Sequence, residues 1–247
     1  MGLLEGRRII VTGGASGMGA ATVRAYAREG ARIVSIDLNG EAGTKVAEEA
    51  AKLGGEVRFE RCDISSREIF PVMEEAIEWL GGLDVLANVA GIERGATPED
   101  VTEDEWDHIL DCNVRGTLYT NQIAFRHMKD RGGGRIINYG SGAGIAGMVD
   151  APHYSVSKGA ILGWSRGIAG EWGRYGVSVV AMTPSIWTPM YEAYREREPQ
   201  RVALSDRIME GTDPDRDMGP VMVFFASEGA HAISGQHVGV GKIGSLA

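Results

Sequence analysis

Cysteine, proline and long apolar runs are all scarce in this 247-residue sequence. The two cysteines, Cys62 and Cys112, stand far apart and form neither a disulfide framework nor the clustered spacing of a metal site. We therefore expect no bound metal and a reducing compartment, the cytoplasm. There is no run of about 18 apolar residues, which argues against a membrane-spanning helix. The stretch from Met1 to Arg8 is too short and too charged for a signal peptide.

Basic charge is also in short supply. The 25 lysines and arginines face 34 acidic residues, so the formal net charge is −9. Without a basic stripe, nucleic acid is not an expected partner. Glycine is the residue in excess, with 36 copies against eight prolines. This ratio favours tight turns and close backbone approaches over disorder.

Short β-branched runs alternate with longer amphipathic stretches along the whole chain. The pattern predicts strands at residues 8–11, 32–36, 57–59, 85–89, 135–138, 177–180 and 237–240. It predicts helices at 17–28, 41–53, 72–80, 104–128 and 154–172. Alternation of this kind is typical of βαβ units, and continuous apolar runs are typical of strands buried on both faces. We therefore predict a single-domain α/β protein over residues 1–247, with a Rossmann-type doubly wound parallel sheet and helices on both faces.

One stretch breaks the alternation. From Pro184 to Asp217 the sequence is irregular and highly charged, with Trp187, Tyr191 and Tyr194 among the charges. A long segment of this kind in a compact domain is often a binding loop or lid. We predict a substrate-binding loop over residues 185–217, in which Trp187, Met190, Tyr191 and Tyr194 suggest an apolar or aromatic wall.

A glycine-rich loop follows the first predicted strand. The run from Thr12 to Gly19 has the spacing Gly-x-x-x-Gly-x-Gly. Such glycines permit a sharp strand-to-helix turn and let the backbone approach a pyrophosphate, which the helix N-terminus then attracts. We predict that Gly13, Ser16, Met18 and Gly19 bind a dinucleotide. A plain glycine-rich turn is the alternative.

An acidic residue stands at the end of the second predicted strand. Asp37, followed by Leu38, is in the position from which a carboxylate accepts hydrogen bonds from an adenosine ribose diol. A carboxylate there would repel a 2′-phosphate, and the neighbouring residues and the glycine loop contain no arginine or lysine. The sequence therefore favours NAD over NADP. Asp37 could also cap the following helix.

A second group of polar residues surrounds the start of the long helix after the fifth strand. Tyr154 and Lys158 are four residues apart and share a helix face. A neighbouring ammonium lowers the pKa of a phenol, which is about 10 in water, so Tyr154 could exchange a proton with a substrate. Ser141 ends the strand just before this helix. The glycine loop, Asp37 and Ser141 all follow strands, and ligands of parallel sheets gather at those ends.

With these motifs in order, the sequence resembles the short-chain dehydrogenase/reductase family over almost its whole length. The glycine loop is similar to the family's Thr-Gly-x-x-x-Gly-x-Gly, and Asn88-Val89-Ala90-Gly91 is similar to its Asn-Asn-Ala-Gly. The resemblance implies that the adenine side of the cofactor contacts Asp63, Ile64, Asn88, Ala90 and Gly91.

The same resemblance implies catalytic roles for Asn113, Ser141, Tyr154 and Lys158. Tyr154 would be the general acid in reduction and the base in oxidation, while Lys158 would lower its pKa and bind the nicotinamide ribose. Ser141 would stabilise the reacting oxygen, and Asn113 would hold a water that links Lys158 to solvent. Asn113 could instead be a buried, satisfied amide, and Ser141 could cap a loop.

The sequence departs from the family pattern in two places. After the sixth strand, Ser185 replaces the usual glycine after Pro184, and Thr188 follows one residue early. The resemblance implies that Pro184 and Thr188 contact the cofactor at the carboxamide. Near the C-terminus, Val240-Gly241-Lys242 replaces the common Val-Asp-Gly.

The helix after Tyr154 carries Gly159, Gly163 and Gly167 on one face. Such a stripe suggests close approach by another helix, and the family packs this helix on a symmetry mate. We expect a homotetramer. The alternative is close packing of the helix onto its own sheet.

The predicted function is an NAD-dependent interconversion of a small-molecule secondary alcohol and its ketone. A cofactor-binding sensor or scaffold without catalysis is one alternative, and a 3-oxoacyl-thioester reductase that uses NADPH is another. A cofactor-free dehalogenase on the same fold would lack the glycine loop or Lys158, and an epimerase of the longer family branch would carry an extra C-terminal region.

Overall fold

Seven parallel strands form one sheet in the computed structural model, which describes residues 2–200 and 202–241. The strand order is β3-β2-β1-β4-β5-β6-β7. The strands are β1 (Arg8–Thr12), β2 (Arg32–Asp37), β3 (Glu56–Arg61), β4 (Val85–Asn88), β5 (Gly134–Tyr139), β6 (Val177–Ser185) and β7 (His237–Gly241). This is the predicted doubly wound α/β fold. Lys242, at which the altered C-terminal motif ends, lies outside the described residues.

Helices connect the strands. They are α1 (Gly17–Arg28), α2 (Gly40–Ala51), α3 (Ile69–Leu80), α4 (Glu103–Leu110), α5 (Gly116–Met128), α6 (Ala143–Ala146), α7 (Pro152–Trp172), α8 (Pro189–Arg197), α9 (Ala203–Met209) and α10 (Gly219–Ala226). A π-helical turn, Asp111–Arg115, joins α4 to α5, and a second one, Pro214–Met218, precedes α10. No helix in the described ranges is both long and apolar enough to span a bilayer.

The sheet has a core on each face, because successive strand residues point to opposite sides. Ile9 and Val11 of β1 belong to one cluster, with side chains of α1, α2 and α10. Ile10 belongs to the other, with side chains of α3, α5 and α7. Strands with apolar residues on both sides are the expected consequence of the continuous apolar runs.

The chain reverses its direction of travel across the sheet at β1 and β4. Strands β1, β2 and β3 proceed to one side, and β4 to β7 to the other, so β1 lies between β2 and β4. Loops leaving β1 and β4 at their carboxyl ends therefore diverge and leave a crevice, which is where doubly wound sheets bind ligands.

The charged segment after β6 is mainly helical, where the sequence had predicted an irregular loop. It forms α8, α9 and the second π-helical turn. Helix α8 begins at Pro189 behind Thr188, whose hydroxyl accepts a hydrogen bond from Tyr191 N at 3.2 Å. Tyr191, Tyr194 and Val202 form a small apolar cluster of their own, packed by Trp187 and Met209. The few apolar side chains of this segment therefore pack on one another.

Candidate active site

Two adjoining cavities open at the carboxyl ends of the strands. The larger, of about 530 Å³, runs from the glycine loop across the ends of β2 and β4. The smaller, of about 280 Å³, lies between the end of β5, the start of α7 and helix α8. Met18, Thr188 and Met190 line both. A ligand in the first cavity can therefore meet a ligand in the second.

The glycine loop forms one wall of the larger cavity, with Gly13, Ser16, Met18 and Gly19 all exposed to it. Gly13 has a φ of +73°, and a Cβ there would lie 2.7 Å from the Ala90 backbone. A Cβ on Gly19 would lie 1.9 Å from the Gly13 carbonyl oxygen. Only glycine fits at these two positions, so the loop is a shaped cradle in front of the α1 N-terminus.

Asp37 ends β2 at the floor of the same cavity, beside Leu38. Its two carboxylate oxygens accept from Ala15 N at 3.0 Å and from Asn39 N at 2.9 Å. Helix α2 is capped by Asn39, whose side chain accepts from Ala42 N at 3.1 Å. Asp37 is therefore not the helix cap and keeps further acceptor positions toward the cavity, since an ionised carboxylate has about four.

An arginine that the sequence argument did not consider lies near this carboxylate. Arg61, at the end of β3, pairs in register with Asp37 of β2, and its Nε donates to the Leu38 carbonyl at 3.1 Å. The residue is distant in sequence from Asp37 but adjacent across the sheet. Strand pairing, once inferred, is the signal that could have found it.

The predicted adenine-side residues divide into two groups. Asp63, Ile64, Ala90 and Gly91 line the larger cavity. Asn88 is buried behind it, where its Oδ1 accepts from the Thr12 hydroxyl at 2.7 Å. This amide therefore joins β1 to β4 under the cavity floor and does not form part of the lining.

Ser141 and Tyr154 meet in the smaller cavity. Their hydroxyls are hydrogen-bonded to each other, and Ser141 Oγ also accepts from Ala143 N at 3.1 Å. Burial raises the pKa of Tyr154 to about 12; the bond to Ser141 lowers it, and the nearby Glu93 carboxylate raises it. The expected lowering of this pKa is thus reversed, because loss of water disfavours the phenolate more than its neighbours favour it.

Lys158 lies one helical turn beyond Tyr154, with Nζ 5.7 Å from the centre of the phenol ring. The side chain is buried, and Nζ donates to the Tyr139 carbonyl at 3.0 Å. Burial lowers the pKa of Lys158 to about 8. Burial therefore brings the loss of this amine's charge closer to neutral pH.

Asn113 stands in the π-helical turn between α4 and α5, and it is buried. Its Oδ1 accepts from Ile92 N at 2.8 Å, while Nδ2 donates to Ile92 O at 2.9 Å and to Ser157 Oγ at 3.0 Å. A Cβ on Gly91 would lie 3.0 Å from Lys158 Nζ and 3.1 Å from Asn113 Oδ1. The amide thus ties the end of β4 to α7 and approaches Lys158 across a glycine.

Residues from the helical segment close the smaller cavity. Met190, Tyr191 and Tyr194 line it as the sequence suggested, together with Pro184, which was expected at the cofactor. Trp187 supports this wall from the side, with its ring centre 5.2 Å from that of Tyr191. Thr188 lines both cavities.

Sequence reasoning missed one charged residue of the smaller cavity. Glu93, two residues beyond Gly91, lines it beside Ser141 and Tyr154. Its side chain is only 7% exposed and forms an ion pair with Arg197 of α8, whose Nη2 lies 2.8 Å from one carboxylate oxygen and 3.0 Å from the other. The position just after β4 was visible in the sequence, but the arginine partner was not.

On α7, Gly163 and Gly167 are exposed, and Gly159 is half-buried. A Cβ on Gly163 or Gly167 would meet no atom of the described chain within 4 Å, whereas one on Gly159 would lie 3.3 Å from Gly144 O. Packing of the helix onto its own sheet therefore does not explain Gly163 and Gly167.

Comparison with known proteins identifies the family of the chain. The family model described as short chain dehydrogenase matches residues 7–199. D-Threitol dehydrogenase of Mycolicibacterium smegmatis is 34% identical over 94% of this chain and 90% of its own. A 3-oxoacyl-[acyl-carrier-protein] reductase of Thermotoga maritima is 31% identical over 96% of this chain and 97% of its own.

Solved structures show the same architecture. The crystal structure of a putative short-chain alcohol dehydrogenase from Sinorhizobium meliloti superimposes with a TM-score of 0.89 at 32% identity, and covers 96% of this chain and 95% of that one. The extent of the family match and the shared fold lead to one assignment. The chain belongs to the short-chain dehydrogenase/reductase family of oxidoreductases.

Proposed function

We propose that the protein is an NAD-dependent oxidoreductase that interconverts a secondary alcohol and its ketone. The observation that carries this proposal is the Tyr154–Ser141 hydroxyl pair, which faces the smaller cavity where that cavity joins the glycine-lined cleft. A carbonyl or alcohol oxygen bound there meets a proton donor and a second hydroxyl at once. Both relatives named above are called after alcohol or ketone chemistry, which is consistent with the proposal.

The larger cavity fits a dinucleotide. Gly13 and Gly19 form a cradle that any side chain would fill, and the start of α1 supplies backbone N–H groups for a pyrophosphate. Asp37 would accept from the ribose diol, while Asp63, Ile64, Ala90 and Gly91 would surround the adenine half. Met18, Thr188 and Pro184 would lie toward the nicotinamide. When bound, the nicotinamide supplies the hydride.

The protein's own part in the reaction is positioning and proton transfer. Tyr154 gives its proton to the substrate oxygen in reduction and takes one in oxidation. Ser141 donates a hydrogen bond to the same oxygen as charge develops. The Lys158 ammonium stabilises the phenolate form of Tyr154. Asn113 fixes the loop after β4 against α7, close to Lys158. The helical segment from 185 to 217 would close over the substrate as a lid.

NADPH is the second candidate cofactor, and Arg61 is the observation that favours it. A guanidinium beside the end of β2 could pair with a 2′-phosphate. Asp37 opposes this, because its carboxylate lines the cavity whereas the Arg61 Nε is already bonded to the Leu38 carbonyl. We therefore place NAD first. A 3-oxoacyl-thioester reductase using NADPH remains the alternative activity.

Exposure of Gly163 and Gly167 supports the proposed homotetramer, since a second copy of α7 could approach where the chain's own atoms do not. A sensor or scaffold role is disfavoured, because the hydroxyl pair and the buried lysine are all in place. The cytoplasm is the proposed location.

The activity is tested by screening secondary alcohols with NAD and with NADP, in parallel with Tyr154→Phe. We expect turnover with NAD and a loss of about 10²- to 10⁴-fold in kcat for Tyr154→Phe, the range of a general acid–base step, with cofactor binding retained. Equal turnover in the wild type and the phenylalanine variant would overturn the assignment of Tyr154.

A further inference from the structure

Glu93 is the one charged side chain among the described residues that line the smaller cavity. The other polar groups there are hydroxyls, including Ser141, Tyr154 and Ser205. A cavity of about 280 Å³ is small, below the range of about 300–1,000 Å³ that is usual for drug-sized ligands. In so small a space a buried carboxylate lies within reach of most atoms of a bound substrate.

The carboxylate keeps acceptor capacity after pairing with Arg197. A single nitrogen, Nη2, contacts both oxygens, at 2.8 and 3.0 Å. Since an ionised carboxylate has about four acceptor sites, roughly two remain. The Glu93 side chain is almost wholly withdrawn from water, and it lines the cavity, so those sites are available to a ligand.

Arg197 holds this carboxylate from outside the cavity and is not itself part of the lining. Its guanidinium lies 5.5 Å from the centre of the Tyr194 ring, which does line the cavity. A Cβ on Gly95 would lie 2.8 Å from Arg197 Nη2, so the arginine lies closely against the backbone of the loop after β4. The pair therefore joins the β4 loop to α8 and presents the carboxylate inward.

A carboxylate withdrawn from water discriminates strongly between substrates that can donate a hydrogen bond to it and substrates that cannot. A substrate hydroxyl that donates to it replaces lost water. A ligand that brings a methyl group leaves the acceptor sites that face the cavity unfilled, although the ion pair with Arg197 remains, and a buried hydrogen bond that is not made costs about 1–3 kcal/mol. An anionic substrate would in addition be repelled, because the positive charge of Arg197 lies on the far side.

We propose that Glu93, positioned by Arg197, is the specificity-determining residue of this site, and that it selects neutral polyhydroxylated substrates by accepting a hydrogen bond from a hydroxyl next to the reacting carbon. This inference rests on the proposed function. It adds the substrate class: a vicinal diol, a polyol or a sugar, and not an acid or a simple alcohol.

The test compares substrates that differ in one hydroxyl. Butane-2,3-diol is paired with butan-2-ol, and cyclohexane-1,2-diol with cyclohexanol. For each pair we measure kcat/KM with NAD at fixed pH and take the ratio of diol to alcohol. The wild type is expected to prefer the diol at least tenfold. Glu93→Gln and Glu93→Ala are expected to reduce that ratio by about 10- to 150-fold, the loss of one hydrogen bond to a charged group.

Matched variants separate recognition from a structural effect. Arg197→Met should lower the ratio, and Arg197→Lys should restore part of it. Glu196→Gln removes an exposed carboxylate from the same helix and should leave the ratio unchanged. Diol preference that survives in both Glu93 variants would overturn the inference while leaving the proposed function intact. An absence of turnover with all four compounds would contradict the proposed function and the inference together.

Discussion

The Lys158 ammonium nitrogen lies 5.7 Å from the centre of the Tyr154 ring and donates to the Tyr139 carbonyl at 3.0 Å. The two side chains stand on one face of α7, one turn apart. Burial lowers the pKa of Lys158 to about 8 and raises that of Tyr154 to about 12. In each case the neutral form is the one that burial favours.

The first prediction concerns the pH dependence of the two directions. With a Tyr154 pKa of about 12, the phenolate that oxidation requires is scarce at neutral pH, and it increases about tenfold per pH unit below that pKa. We expect kcat/KM for alcohol oxidation to rise steadily from pH 7 to 10. Ketone reduction uses the protonated phenol, so Tyr154 should not limit it in this range. An oxidation rate that levels off near pH 7 would indicate a Tyr154 pKa far below the one burial sets.

The second prediction is that Lys158 lowers the free energy of unfolding by an amount that depends on pH. Its pKa is lowered from 10.5 to about 8 on folding, so between these pH values the unfolded chain holds more protons and the free energy of unfolding rises with pH. Below pH 8 Lys158 lowers the free energy of unfolding by its full amount, about 3 kcal/mol. Lys158→Met removes this dependence, so its stability relative to the wild type should be greatest at pH 7 and decline toward pH 10.

Urea unfolding at several pH values measures this difference. Lys45→Met, at an exposed position on α2, is the control for the loss of a lysine outside the buried site. A constant difference for Lys158→Met would mean that Lys158 keeps its ordinary pKa in the folded protein.

A third prediction follows from the glycine between Asn113 and Lys158. In Gly91→Ala the new methyl group would lie 3.0 Å from Lys158 Nζ and 3.1 Å from Asn113 Oδ1. Both groups must move, so we expect kcat to fall about 10- to 100-fold, as geometric misplacement in an active site does. Gly173→Ala is the control, since the described parts of the chain place no packing neighbour within 4 Å of a Cβ at that position. Full activity in Gly91→Ala would show that the position of this pair does not matter.

A fourth prediction tests the assembly. Gly163→Arg places a long charged side chain on the exposed face of α7, where the proposed tetramer would bring another copy. Light scattering should show a smaller species than for the wild type. Thr44→Arg on α2 adds the same charge on the other side of the sheet and should not change the mass. If both variants keep the wild-type mass, α7 is not a contact between copies.

Much of the fold was predictable because its signal is local. Each predicted strand overlaps an observed one, and α1 has the predicted bounds, since β-branched runs and glycine-rich turns act within a few residues. The helices between 189 and 209 were not predicted, because their apolar residues are few and pack mainly on one another. The local sequence of this segment therefore does not show a helical periodicity of apolar residues.

The site was predictable where its residues lie next to the boundaries of strands and helices. The glycine loop and Ser141 follow the ends of β1 and β5, and Tyr154 lies in the first turn of α7, positions that sequence order indicates. The pair of Glu93 and Arg197 is separated by 104 residues, and only the fold brings its members together. The raised pKa of Tyr154 depends on burial, which spacing in a helix does not show.

Titration of NADH and NADPH, followed by nicotinamide fluorescence, tests the central claim most directly. It should be run on the wild type, Asp37→Ala and Arg61→Ala. We predict tight NADH binding and weak NADPH binding in the wild type, loss of that preference in Asp37→Ala, and little change in Arg61→Ala. If the wild type binds NADPH more tightly than NADH and Arg61→Ala loses this preference, the cofactor is NADP and not NAD. Binding of neither nucleotide would contradict the account, because the glycine loop would then be only a turn.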